Sequence, residues 1–149
     1  MANLKDLYQN AILDHFKNPR NCHELENANR KAQGHNPFCG DTLNLFLFVK
    51  NNRILDIGFT GKSCAIATAS ASMMTEQLKG KTETEARSLL HLFFDLLDRN
   101  NSDRTAASLG NLSVFADVRS YPVRVKCALL AWHTLSAALE GLKDPVETE

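Results

Sequence analysis

Thr42-Leu43-Asn44-Leu45-Phe46-Leu47-Phe48-Val49, then Lys50-Asn51-Asn52-Arg53, then Ile54-Leu55-Asp56-Ile57-Gly58-Phe59: this stretch decides the fold. Leu43, Leu45, Leu47 and Val49 fall on one side of an extended chain, and Thr42, Asn44, Phe46 and Phe48 on the other. That period of two marks a half-buried strand. Lys50–Arg53 is a turn signal. Beyond it Leu55, Ile57 and Phe59 share a face. The spacing predicts a hairpin with one apolar face, which a lone pair of strands cannot bury. Helices elsewhere in the chain must cover it. Phe46 and Phe48, on the opposite face, mark a candidate contact surface.

Downstream, Gly61-Lys62-Ser63 breaks the strand, and from Cys64 the apolar spacing becomes helical through Ile66, Ala69, Ser70, Met73, Met74 and Leu78. Gly80 suits the end of that helix. Thr82-Glu83-Thr84-Glu85 is a capping box, opening a helix with Ala86, Leu89, Leu90, Phe93 and Leu97 inward. Residues 98–107 are a polar loop, and a short helix is expected near 108–118. Ser120-Tyr121-Pro122 opens the last helix, with Ser120 the candidate cap. Its stripe is Ala128, Leu129, Ala131, Trp132, Leu135, Ala138, Leu139 and Leu142. Upstream, Leu4, Leu7, Tyr8, Ala11, Ile12 and Phe16 share a helical face, and Pro19 follows its end. Residues 20–35 are polar and irregular, with room for a short strand near 28–33. The order predicts an α+β fold: a small antiparallel sheet with helices packed on one face.

The 149 residues are 44% hydrophobic and 23% charged, the size and composition of one folded domain spanning 1–149. Seventeen Lys and Arg balance seventeen Asp and Glu, which argues against nucleic acid or an anionic membrane as the main partner. No apolar run approaches the roughly 18 residues of a membrane span, and the N-terminus lacks a signal peptide's pattern. The expected compartment is the cytoplasm, where cysteines bind metals or react more often than they pair.

Cys39 lies in Asn36-Pro37-Phe38-Cys39-Gly40-Asp41, a turn just before a strand, with its thiol and the Asp41 carboxylate on the same side of the chain. Cys64 falls near a helix N-terminus, where free N–H groups favour a thiolate. Cys127 is early in the last helix beside Arg124 and Lys126, cations that would also favour a thiolate. Cys39, Cys64, Cys127 and Asp41 would together make a tetrahedral site of three sulfurs and one oxygen, a set zinc accepts. Lys62, Arg124 and Lys126 would compensate its charge. Iron–sulfur clusters use the same thiolates. On spacing alone, Cys64 and Cys127 are equally readable as small core residues.

LYQNAILDHFKNPRN (7–21), NPFCGD (36–41), GKSCAIATASASMM (61–74) and YPVRVKCALLAW (121–132) together resemble the iron–sulfur cluster assembly proteins of the IscU/SufU family, the fold also found at the N-terminus of NifU. The resemblance implies a sheet of about three antiparallel strands with helices on one face. It places the family cysteines on Cys39, Cys64 and Cys127 and the metal-binding Asp on Asp41. IscU-type scaffolds carry a His directly before the last cysteine, where this chain has Lys126. SufU-type proteins lack it and carry an insertion, which the polar loop at 98–107 resembles. The SufU-like branch implies a zinc site and a thiol that accepts persulfide sulfur from a SufS-like cysteine desulfurase, then relays it to a downstream cluster scaffold or carrier. That thiol would be Cys39, or Cys127 if the IscU pattern applies. Arg124, about one turn before Cys127, would steady the thiolates or contact the partner. The alternative is an IscU-type scaffold carrying a [2Fe–2S] cluster or iron. Whether the chain is then an enzyme, as a zinc-dependent sulfurtransferase, or a non-enzymatic scaffold stays open. The sequence departs from the family at Ser63, usually Gly, and at Cys22, which matches no ligand position. His35, four residues before Cys39, is the histidine nearest the expected site in sequence.

Overall fold

The fold is that of a computed structural model, which describes residues 4–98, 109–141 and 146–147 and, within the first helix, side chains from Asn10 onward. Helix α1 (Leu4–Lys17) leads into strands β1 (Arg30–Asn36), β2 (Asp41–Lys50) and β3 (Arg53–Lys62). Helices α2 (Ala65–Leu78) and α3 (Glu83–Leu96), a 3-10 segment (Gly110–Ser120) and helix α4 (Pro122–Glu140) follow. A two-residue strand β4 (Val146–Glu147) ends the described chain. The sheet order is β3-β2-β1-β4, antiparallel throughout except that β4 runs parallel to β1. This is the expected α+β architecture. The expectations for Leu142 and for the polar loop at 98–107, except for Asp98, fall outside the described residues.

The central hairpin forms as its alternation demands. Leu43, Leu45 and Leu47 are fully buried against the helices, while Asn44, Phe46 and Phe48 are half-buried on the outer face. Asn51 and Asn52 both take positive φ, 53° and 62°, and close a two-residue turn whose twist suits the strands. One expectation fails here. Leu55 is 43% exposed and Ile54 takes its place in the core. The register shifts between Phe48 and Val49, so Phe48 faces Asp56 while Val49 faces Ile54. The bulge leaves Leu55 without a partner and turns it outward.

β1 starts two residues later and ends three later than expected, and Asn29 just before it bonds β2 through both its backbone and its side chain. Its Nδ2 donates to Val49 O at 2.7 Å, and its Oδ1 accepts from Val49 N at 2.9 Å. α2 and α4 lie on the inner sheet face. Gly34 permits the close approach of α4, since a Cβ there would overlap the Thr134 hydroxyl. Behind them Phe93 stacks on Trp132 with centroids 4.4 Å apart and meets Phe115 edge-on at 5.7 Å. Trp132 Nε1 donates to Ser70 Oγ, which donates to Ala128 O, so this polar pair inside the core is satisfied. Met73 and Met74 are buried in the same core.

Three helix details differ from the sequence expectation. The segment expected to be a short helix near 108–118 winds as the 3-10 helix Gly110–Ser120. α4 is capped at Tyr121, not Ser120, because Ser120 closes the preceding 3-10 turn; the cap lacks a side-chain bond, and Pro122 takes the first turn, where its missing N–H costs nothing. On α1, Ile12 and His15 are buried but Phe16 is 42% exposed. His15 takes the inward position by bonding Ser72 Oγ at 2.7 Å, which leaves Phe16 one step round the helix. The Thr82–Glu85 capping box forms as read.

Candidate metal centre

Three elements meet at the end of the sheet: the β1–β2 turn, the start of α2 and the start of α4. The turn Pro37–Gly40 is exposed, and Gly40 takes φ +72°, a conformation that suits glycine. It presents Cys39 to solvent. Asp41, the first residue of β2, is 3% exposed. Cys127, in the first turns of α4, is fully buried.

The ligand atoms of Cys39, Asp41 and Cys127 all lie within 4.8 Å of one another. The two sulfurs are 3.3 Å apart. Asp41 Oδ1 accepts the Cys64 backbone N–H at 2.9 Å, which fixes the carboxylate against the start of α2. Its other oxygen, Oδ2, is buried and has no hydrogen-bond partner among the described residues. A buried, orphaned carboxylate oxygen is costly, and it is what a cation would satisfy. With two sulfurs beside it, the donor set fits a thiophilic divalent ion such as zinc.

Cys64 stands differently from the sequence expectation. Its sulfur is not in the group of three. It accepts the Ala67 N–H at 3.5 Å and so serves as the N-cap of α2. The unpaired amides of the first turn hold it there. The Cys127 thiol, acting as hydrogen donor, brings the Cys64 thiol down to about 6, with the Ala67 and Ile66 amides adding to the effect against burial. Cys127 carries the opposite cost: Cys64 first, then burial, then Cys39 push it well above the ordinary thiol range. The expectation that Arg124 and Lys126 favour a Cys127 thiolate is thus reversed: the neighbouring thiols and burial outweigh them. Arg124 is exposed, and the Lys126 ammonium sits 3.8 Å over the Phe38 ring. Lys62 is exposed as well.

Residues 7–128 match the family of the NifU-like N-terminal domain. The chain belongs to that family. It is 39% identical over 134 residues to SufU of Bacillus subtilis, named a zinc-dependent sulfurtransferase, with 90% of each chain covered. It is 34% identical over 140 residues to IscU of Streptococcus pyogenes, named an iron–sulfur cluster assembly scaffold protein, covering 94% of this chain and 87% of that one. The solved SufU structure of Fervidobacterium islandicum superposes with a TM-score of 0.79 at 36% identity, covering 89% of this chain and 96% of the other. The family resemblance read from the four motifs is therefore established.

Within this NifU-like domain the structure brings together Cys39, Asp41 and Cys127, with Cys64 adjoining. Cys22 is exposed and outside the group. His35 is also outside it; its Nδ1 meets the Asp41 carbonyl at 3.1 Å on the strand backbone. Ser63 ties its loop to α2, with its hydroxyl 2.7 Å from that of Thr68. Sequence reasoning overlooked Asn36. It is fully buried; its Oδ1 accepts the Phe38 N–H at 3.1 Å and its Nδ2 donates to Cys127 Sγ at 3.7 Å. Asn before Pro at the head of a turn was the available signal, since an Asn side chain commonly bonds the backbone two residues on.

Proposed function

We propose that this chain is a zinc-dependent acceptor of persulfide sulfur in iron–sulfur cluster assembly. It takes sulfur on Cys39 from a SufS-like cysteine desulfurase and relays it to a downstream scaffold or carrier, in the cytoplasm, as one domain over 1–149. Zinc would be held by Cys39, Asp41 and Cys127, with Cys64 as fourth ligand once its sulfur leaves the Ala67 amide. Bound there, the metal would keep thiols ionised at neutral pH. One observation carries the reading: a solvent-exposed thiol on a turn shares a site with a buried carboxylate whose second oxygen has no partner. The similarity to the B. subtilis sulfurtransferase supports it.

The chain's own residues then have distinct tasks. Cys39 is the thiol that a bulky donor protein can reach. Its thiolate attacks the outer sulfur of the desulfurase persulfide, forming a Cys39 persulfide and returning the donor cysteine as a thiolate. Asn36 holds the turn that carries Cys39. Asp41 links the turn to α2 through the Cys64 amide. Arg124, exposed at the start of α4, would meet the partner.

Stimulation of a cysteine desulfurase, before and after zinc removal, is the test. Stoichiometric zinc and stimulation lost in Cys39→Ser support the reading. Stimulation retained in that variant moves the acceptor to Cys127. The scaffold reading has support in the IscU relatives and uses the same thiols. A brown chromophore bleached by chelator, in protein purified without added metal, would favour it.

A further inference from the structure

Two thiols of the site, Cys39 and Cys127, are placed to consume the sulfur that one of them carries. We infer that, without metal, Cys127 attacks the inner sulfur of a Cys39 persulfide, closing a Cys39–Cys127 disulfide and releasing hydrogen sulfide. The inference rests on the reading of Cys39 as sulfur acceptor.

The geometry selects this outcome over transfer of the outer sulfur. Cys127 Sγ lies 3.3 Å from Cys39 Sγ, the atom that becomes the inner sulfur of the persulfide. Reacting atoms at about 3 to 3.5 Å are near attack distance. The outer sulfur would extend from an exposed turn while Cys127 stays fully buried, so the buried thiol faces the inner atom. Shortening the gap to a disulfide needs the turn to yield by about an ångström. Pro37–Gly40 is exposed, and its inner tether is Asn36. Asn36 Nδ2 also contacts Cys127 Sγ, so one side chain sets both sulfurs.

The step balances without an outside oxidant. The Cys39 persulfide and the Cys127 thiol become a Cys39–Cys127 disulfide and hydrogen sulfide. One sulfur–sulfur bond breaks and one forms. The outer sulfur is reduced to sulfide and the Cys127 sulfur is oxidised, while the Cys39 sulfur keeps the oxidation level it has in the persulfide; the Cys127 proton passes to the departing sulfide as the bond forms. A cation on Cys127 would occupy the attacking lone pair. Metal occupancy would therefore decide between a loaded carrier and a discharged, cross-linked one.

The test uses the full chain in a Cys22→Ser background, so that the exposed fourth thiol does not count. Zinc-loaded and zinc-stripped protein are treated anaerobically with inorganic polysulfide, desalted, and weighed intact. The stripped protein is expected lighter by two hydrogens, with a Cys39–Cys127 cross-link in the peptide map and no change when polysulfide is omitted. The zinc-loaded protein, and stripped Cys127→Ser and Cys127→Ala, are expected heavier by one sulfur on Cys39. A stripped wild-type site that keeps the added sulfur without a cross-link, or cross-links through Cys64, overturns the inference and leaves the acceptor reading standing. Failure of both Cys127 variants to gain sulfur on Cys39 overturns the acceptor reading itself.

Discussion

Cys39 and Cys127 hold their sulfurs 3.3 Å apart, yet one is exposed on a turn and the other is fully buried at the start of α4. The turn is held by Asn36 and by the glycine conformation at Gly40. The helix is held by the core: Trp132, five residues on from Cys127, stacks on Phe93 and donates to Ser70. The contrast separates two requirements of a sulfur-handling site. The rim must be reachable and replaceable, while the floor must keep its ligand atoms fixed before any ion or sulfur arrives. Damage to the floor should therefore appear in the stability of metal-free protein, and damage to the rim should appear only in chemistry.

The largest effect is expected behind the floor. Trp132→Ala removes a fully buried indole from between α4 and α3 and should cost about 3–5 kcal/mol in urea unfolding of the metal-free chain. A loss under about 1 kcal/mol would mean that α4 is not anchored by this core, and the comparison would fail at its base.

Asp41→Ala comes next. It removes the acceptor of the Cys64 N–H and should cost about 1–3 kcal/mol without metal. Zinc should then no longer raise the unfolding midpoint, whereas it does so for the parent chain. The orphaned Oδ2 sharpens the case, since removing an unsatisfied buried oxygen returns part of the loss. A variant more stable than the parent in the absence of metal, and insensitive to zinc, would show that Asp41 serves ligation alone.

A smaller, pH-dependent effect concerns the seam between α1 and α2. Burial holds His15 below its ordinary value of 6.5, with the Arg20 charge acting the same way and Glu76 and Asp14 opposing. The folded state therefore prefers the neutral ring. The unfolded chain takes up the proton first as the pH falls. The stability from this group is fully present above about 6.5 and is lost as the pH drops through the lower folded value. His15→Gln should flatten the fall in stability on acidification, measured against the parent chain so that His133, which is shifted in the same direction, cancels.

Much of this was legible in the chain. The Leu43–Val49 alternation, the switch to helical spacing at Cys64 and the Thr82–Glu85 box each depend on local chemistry, and each formed as read. Leu55 and Phe16 were misplaced because their facing depends on a bulge and on a distant hydroxyl, which no local period encodes. The site divides in the same way. Cys39 and Asp41 were readable as a turn pair. The direction of the Cys64 sulfur was not, because the amides of its own helix compete for it. The Lys126 contact was not readable either, because Phe38 lies in another element.

The smallest effect should fall on the rim. Cys39→Ser changes an exposed side chain that no buried group needs for folding, so metal-free stability should move by no more than about 0.5 kcal/mol. The hydroxyl can meet Cys127 as the thiol does, so the floor has no reason to rearrange. Sulfur uptake should nevertheless be lost, because an alcohol does not form a persulfide under conditions in which a thiolate does. A drop in metal-free stability comparable to that of Asp41→Ala would mean that the 3.3 Å contact supports the fold. Cys39 would then belong to the floor, and the reachable thiol would have to be sought elsewhere.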